Sequence, residues 1–163
     1  MSVTDELLED NRSYAEGFDQ GGLPMPPSRR VAVVACMDAR LDVYRLLGLG
    51  LGEAHVIRNA GGVVSEDVIR SLVISQRLLG TREIVLVHHT DCGMLTFNDD
   101  GVKAQIEAET GMRPPFALEA FDDPAEDVRQ SLRRVQASPF IQHRDSVRGF
   151  VYDVASGRLD EVR

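Results

Sequence analysis

Two runs of consecutive apolar residues, Val31–Ala35 and Ile84–Val87, stand out against the mixed pattern of the rest of the chain. A strand that is covered on both faces reads as an uninterrupted apolar run, which is typical of the centre of a parallel sheet. Shorter apolar or alternating segments elsewhere predict flanking strands. The strands we predict span residues 31–35, 54–58, 83–88, 149–154 and 158–162.

Between these strands, apolar residues recur every three or four positions, which predicts amphipathic helices. The clearest follows Ser65, an N-capping residue with Glu66 and Asp67 behind it, and ends before Gly80. The helices we predict span residues 4–18, about 41–47, 66–79, 101–110 and 124–137. Strands that alternate with helices predict an α/β fold with a mostly parallel central sheet flanked by helices.

The first predicted helix, which Thr4 can cap, is separated from the remaining chain by Gly21-Gly22 and by the prolines of residues 24–27. A helix cannot continue through such a segment. We treat residues 1–163 as one domain in which residues 1–24 form an N-terminal helical arm. Such an arm either folds back on its own domain or packs on a neighbouring subunit, and the pattern leaves both open.

Composition narrows the range of partners. The formal net charge is −8 and the pI is near 5.0, so the chain lacks the basic excess that binding to nucleic acid requires. No apolar run approaches the length that spans a membrane, and the acidic first residues do not resemble a secretory signal. We therefore expect a cytoplasmic protein that binds neither nucleic acid nor membranes.

The chemistry is concentrated in two fragments that contain the only two cysteines, Cys-Met-Asp-Ala-Arg at 36–40 and His-Thr-Asp-Cys at 89–92. Each follows one of the strong predicted strands. If those strands are neighbours, their carboxyl ends bring Cys36, His89 and Cys92 to one crevice. Two thiolates and one imidazole are typical ligands of zinc, and three protein ligands leave a fourth position for chemistry.

Asp38 and Arg40 are the candidates to control that fourth position. Asp38 can bind the metal and close the site, or it can pair with Arg40 and stay off the metal. Arg40 lies two residues further on, so in an extended segment it points to the same side as Asp38. A bidentate arginine–carboxylate pair would hold the carboxylate away from the metal. Because thiolates donate more charge than imidazoles, we expect an alkaline pH optimum.

These residues make the chain resemble the β-class carbonic anhydrases, whose pattern is C-x-D-x-R followed by H-x-x-C. The segment Arg58-Asn59-Ala60-Gly61-Gly62 also resembles the R-N-A-G loop of that family. The similarity is strong from about residue 31 to 93 and follows the element order to about residue 154. It is closest to compact prokaryotic members of the mycobacterial or actinobacterial kind.

The resemblance implies reversible hydration of carbon dioxide to bicarbonate and a proton, with one Zn²⁺ per subunit. Cys36, His89 and Cys92 would hold the metal. Asp38 would either orient the zinc-bound hydroxide that attacks carbon dioxide or occupy the fourth metal position in a closed form, and Arg40 would lock it in the active arrangement. The resemblance also implies a homodimer or a dimer of dimers, which favours an arm that wraps its partner.

Two other functions fit the same residues. One is hydrolysis of a related linear molecule, carbon disulfide or carbonyl sulfide. The other is a non-catalytic zinc sensor in which Asp38 permanently caps the metal, although a permanent cap would not need Arg40.

Four smaller expectations concern the surroundings of the site. Met94 and Leu95 would form an apolar wall for a nonpolar substrate. Asp91 would hydrogen-bond to backbone within the metal turn. His88 would face away from the metal because side chains alternate along a strand. The arginines 129, 133 and 134 would form a solvated helix face.

Overall fold

A computed structural model describes residues 2–163, so Met1, the first residue of the predicted arm, lies outside the described residues. Its centre is a five-stranded sheet in the order β2-β1-β3-β4-β5, in which the first four strands are parallel and β5 runs antiparallel to β4. The mostly parallel α/β sheet predicted from the sequence is confirmed. The strands are β1 Val31–Cys36, β2 Ala54–Asn59, β3 Glu83–His89, β4 Val147–Tyr152 and β5 Leu159–Val162.

Within residues 2–163, five α-helices connect or flank these strands, each close to its predicted place. Two single turns of 3₁₀ helix, Ala60–Gly62 and Gly93–Leu95, lie beside the two chemical fragments. The α-helices are α1 Val3–Glu16, α2 Val43–Leu46, α3 Glu66–Arg77, α4 Asp99–Thr110 and α5 Pro124–Ala137.

Most predicted boundaries differ from the structure by one or two residues, and three elements show a local reason. Helix α1 is capped by Ser2, not Thr4, because Ser2 and Asp5 form a reciprocal capping box. Helix α4 begins two residues earlier than predicted because Asn98 accepts a hydrogen bond from the Gly101 backbone N–H. Strand β4 begins at Val147, where it pairs with β3, and gives way after Tyr152 to a turn that Asp153 caps.

The sheet is buried on both faces. Alternate residues of β1 contribute to opposite sides, with Ala32 and Val34 in one apolar cluster and Val33 and Ala35 in the other. The first cluster lies under α3 and α5, which supply Val68, Leu72 and Val135. The second lies under loops and α2, and it includes Cys36 and Cys92. The core therefore extends directly into the chemical fragments.

Every residue of helix α1 is exposed, whereas α4, which also has no buried residue, contains partly buried positions. The apolar side chains of α1 remain open to solvent, with Leu7 62% and Tyr14 59% exposed. Within the described part of the chain, no helix is long and apolar enough to cross a membrane.

The predicted solvated face of α5 was wrong at Arg134. Arg129 and Arg133 do pair with Glu126 at the surface. Arg134 is half-buried instead, and its guanidinium forms two hydrogen bonds with Glu119 and one with the Val64 carbonyl. It ties α5 to two separate loops.

Candidate metal centre

The two chemical fragments meet because β1 and β3 are adjacent parallel strands. Cys36 ends β1, His89 ends β3, and Cys92 follows in the next turn. One ligand atom of each lies within 4.8 Å of the other two, and all three residues are buried. The predicted convergence of Cys36, His89 and Cys92 at one crevice is what the fold produces.

The donor set fits a tetrahedral zinc ion. The two sulfurs are 4.0 Å apart and form no disulfide. Two thiolates at the usual zinc–sulfur length of about 2.3 Å in a tetrahedral site are separated by about 3.8 Å. His89 Nδ1 donates to the Thr90 carbonyl at 2.8 Å, which leaves Nε2 as the acceptor nitrogen. Nε2 is buried and has no hydrogen-bond partner, as a metal-directed nitrogen requires.

The thiols of Cys36 and Cys92 differ in pKa. Burial raises the pKa of the Cys36 thiol, but the neighbouring His89 imidazole and the backbone N–H groups of Asp38 and Gly61 outweigh it and lower the pKa overall. Burial and the neighbouring Cys36 raise the pKa of Cys92 to about 11. Metal binding therefore releases a proton from Cys92, because the ligand form of cysteine is the thiolate.

Asp38 lies beside the three ligands but is bound to Arg40. Arg40 donates from Nε to Oδ1 at 3.0 Å and from Nη2 to Oδ2 at 2.8 Å, and its backbone N–H donates to Oδ1 at 2.8 Å. These hydrogen bonds hold the pKa of the Asp38 carboxyl well below its usual range. Asp38 Oδ2 is 3.7 Å from His89 Nε2. Of the two arrangements left open by the sequence, this structure has the arginine-paired one.

Asp91 does not play the local role expected of it. Its carboxylate accepts a hydrogen bond from Arg40 Nη1 at 2.7 Å, and its backbone carbonyl accepts from Arg40 Nη2 at 2.9 Å. The residue has a positive φ of 53°, which is uncommon outside glycine and turns both groups toward Arg40. Arg40 therefore lies between two aspartates, one from each chemical fragment.

Two further residues shape the site without touching the predicted ligand atoms. Arg58 donates to the backbone carbonyls of Cys36 and Asp38, at 2.9 and 2.7 Å. It can do so because it lies on β2 opposite Ala35 of β1. Gly62, at φ 72°, lies so close to the backbone of β1 and β3 that an added Cβ would be 2.8 Å from the Cys36 nitrogen. The sequence signal for both was their place in the R-N-A-G-G segment.

A cavity of about 360 Å³ opens onto the sulfurs. Its wall is largely apolar, as predicted, but Leu95 is not part of it. Met94 contributes as predicted, and so does Phe97, which was not predicted. The lining residues are Cys36, Met37, Asp38, Ala60, Gly61, Cys92, Gly93, Met94, Thr96 and Phe97.

The remaining histidines are not brought to the centre. His88 is fully buried, and its Nε2 lies 2.6 Å from Asp127 Oδ2 of α5, on the side away from the metal ligands as predicted. His55 Nδ1 is 2.7 Å from the Ser75 hydroxyl. His143 is anchored through its backbone by Gln76.

Comparisons with known proteins agree with this geometry. A family model described as carbonic anhydrase matches residues 31–119. Over 162 residues the chain is 65% identical to beta-carbonic anhydrase 1 of Mycobacterium tuberculosis, and the match covers 99% of both chains. The solved structure of a carbonic anhydrase from Streptococcus mutans superposes with a TM-score of 0.93 at 43% identity, over 100% of this chain and 99% of that one.

A more distant relative has a different activity. The carbon disulfide hydrolase of an Acidianus species is 31% identical over 159 residues, which cover 83% of this chain and 78% of that protein. The fold is thus shared by proteins that act on more than one small molecule.

Proposed function

The chain belongs to the β class of the carbonic anhydrase family, and we propose that it hydrates carbon dioxide reversibly to bicarbonate with zinc held by Cys36, His89 and Cys92 and with Asp38 and Arg40 as its catalytic pair. The observation that carries this proposal is the pairing of Asp38 with Arg40 beside a set of three ligands. Three protein ligands leave one position for chemistry, and a paired Asp38 leaves that position open.

The zinc ion supplies a Lewis acid that lowers the pKa of water and so provides hydroxide near neutral pH. The chain's own residues tune this environment. Two thiolates offset the charge of the cation, and His89 is fixed in one tautomer by the Thr90 carbonyl. The thiolate charge favours an alkaline optimum, since a less positive site acidifies water less.

Asp38 orients the nucleophile. Its carboxylate is ionised under all working conditions because Arg40 holds it with three hydrogen bonds. With zinc held by Cys36, His89 and Cys92, this ionised carboxylate would accept a hydrogen bond from the hydroxide and so orient it toward the substrate. Arg40 supplies the fixed geometry that this orientation requires.

The cavity suits a small nonpolar substrate. Met37, Met94 and Phe97 give it an apolar wall, and carbon dioxide needs no strong hydrogen-bond donor to enter. Carbon disulfide hydrolysis is the alternative, because a related fold carries it out. The identity to that relative is 31%, against 65% to the carbonic anhydrase, so we favour carbon dioxide. Turnover measured side by side on both substrates separates the two.

Asp38 also distinguishes a catalyst from a sensor. A sensor capped by Asp38 would have that carboxylate on the metal, whereas here Arg40 binds it. In Asp38→Ala we expect retained zinc and an activity reduced by about 10²-fold, because the nucleophile loses its orienting group. Zinc retention with full activity in that variant contradicts the proposed mechanism.

The functional unit we propose is a homodimer, or a dimer of dimers, with the arm of residues 1–24 packed on the partner subunit. Support comes from the row of exposed apolar side chains on α1, which a partner surface would cover. The arm and the remaining residues make up one domain. We also propose a cytoplasmic location, because a reducing compartment keeps Cys36 and Cys92 available as metal ligands.

The zinc dependence is tested with the wild-type protein. We expect one zinc ion per chain and stopped-flow hydration that disappears after chelation and returns with added zinc. The matched control is His143→Ala, which removes a histidine outside the centre and should change neither zinc content nor rate. Zinc-loaded protein that does not hydrate carbon dioxide contradicts the proposed function.

A further inference from the structure

We propose that Asp91 is a positioning residue that anchors Arg40 and thereby keeps Asp38 off the metal. This inference rests on the proposed function and concerns regulation of the same site. Its basis is geometric. Arg40 is held on one edge by Asp38 and on the other by the side chain and carbonyl of Asp91, at 2.7 and 2.9 Å.

The anchoring joins two separate parts of the fold. Asp38 and Arg40 follow β1, whereas Asp91 lies in the turn after β3, between the two ligands His89 and Cys92. Four N–H groups of the Arg40 guanidinium are used, two toward each aspartate. A planar guanidinium bound along two edges has little freedom to rotate or shift.

A fixed arginine makes closure costly. For Asp38 to reach the metal, it must give up its three hydrogen bonds from Arg40. An arginine free to move could follow the carboxylate and keep part of that interaction. Arg40 cannot follow while Asp91 holds its other edge, so Asp91 raises the free energy of the closed form relative to the open form.

The size of the effect is modest because the contact is exposed. The Asp91 side chain is 79% exposed and that of Arg40 47% exposed. Exposed ion pairs change equilibria by a few-fold at most. We therefore expect Asp91 to bias the exchange of Asp38 by about two- to fivefold, not to abolish activity.

The variant that tests this is Asp91→Asn. Asparagine tolerates a positive φ as aspartate does, so the backbone and its carbonyl contact are preserved while the charge is lost. The matched control is Asp67→Asn, which removes another exposed arginine contact of the same 2.7 Å length, that with Arg70 on α3.

The first readout is the rate at which zinc leaves the protein in excess chelator. A closed site has a fourth protein ligand, so we expect zinc release from Asp91→Asn to be slower than from wild type, by at most about fivefold. Loss of a negative charge, or loosening of the site, would make release faster. The direction therefore separates closure from damage, and release that is unchanged or faster overturns the proposal.

The second readout is hydration activity. We expect kcat/KM of Asp91→Asn to fall by about the factor by which zinc release slows, because both report the fraction of closed sites. Asp67→Asn should match wild type in both measurements. If the wild-type zinc protein does not hydrate carbon dioxide, the proposed function fails, while zinc release still decides the role of Asp91.

Discussion

The carboxyl end of the sheet and the N-terminal arm differ in how far their side chains are bonded and buried within the chain. At the sheet end, every ionic group near the metal ligands is bonded within the chain: Arg40 to Asp38 and Asp91, and Arg58 to two backbone carbonyls. On α1, the capping box and the Arg12–Glu9 pair are local, and no residue is buried.

The two regions differ in how much of their environment one chain supplies. At the metal centre, two adjacent strands of one chain bring the three ligands together. The arm has an apolar side that the described residues of its own chain leave exposed. Changes at the site should therefore act on zinc and turnover, whereas changes on the arm should act on assembly.

The largest effect is expected from removing a metal ligand. His89→Ala should lose zinc and reduce hydration by about 10³-fold or more, because the source of hydroxide is lost. Zinc content by mass spectrometry and stopped-flow rates measure both. A variant that keeps stoichiometric zinc would show that the three-ligand assignment is wrong.

A second large effect is expected where the backbone itself is packed against the site. Gly62→Ala combines a positive φ with a Cβ forced against three backbone atoms, so we expect a loss of about 2–4 kcal/mol in the free energy of unfolding. Gly48→Ala is the control, since it has a similar φ of 62° but no atom within 4 Å of its added Cβ. It should lose only about 1 kcal/mol. Equal losses in urea denaturation would contradict the packing argument.

An intermediate effect is expected on the arm, and it should concern association. Leu7→Ser should weaken the proposed dimer by about ten- to hundredfold, which is the contribution of one buried leucine. Glu16→Ser, on the opposite side of α1, is the control for helix propensity. Sedimentation equilibrium measures both. An unchanged dimer in Leu7→Ser would mean that the arm does not contact a partner through this stripe.

The smallest effect is expected at Asp99, which holds the loop that packs near the cavity. Its carboxylate accepts hydrogen bonds from the backbone N–H groups of Leu118, Glu119 and Ala120, and that from Ala120 lowers the pKa of Asp99 most. A lowered folded-state pKa stabilises the fold above the unfolded pKa of about 4 and loses that effect as the pH falls through the folded value.

Asp99→Asn should therefore be about 1 kcal/mol less stable than wild type at pH 7, and the difference should shrink as the pH falls below about 4. Asp100→Asn, which removes an exposed contact to Arg113, is the control and should have little effect at either pH. A difference that stays constant as the pH falls below about 4 would point to packing and not to charge.

The sequence was most informative where the periodicity was strong. The apolar runs predicted β1 and β3, and the end positions of Cys36 and His89 followed from them. It was least informative for contacts between loops. The Asp91–Arg40 and Glu119–Arg134 pairs depend on where two turns meet in space and on positive φ at Asp91 and Glu119, which neither composition nor periodicity encodes.

The proposed mechanism requires that Arg40 binds the Asp38 carboxylate and keeps it off the metal. The Arg40→Ala variant tests this requirement directly. We measure zinc content and stopped-flow hydration of carbon dioxide by this variant and by wild type between pH 6.5 and 9. The prediction is full zinc occupancy with kcat/KM reduced by about 10²-fold, because Asp38 loses its partner and binds the metal. An Arg40→Ala protein that retains zinc and hydrates carbon dioxide at the wild-type rate would contradict the account.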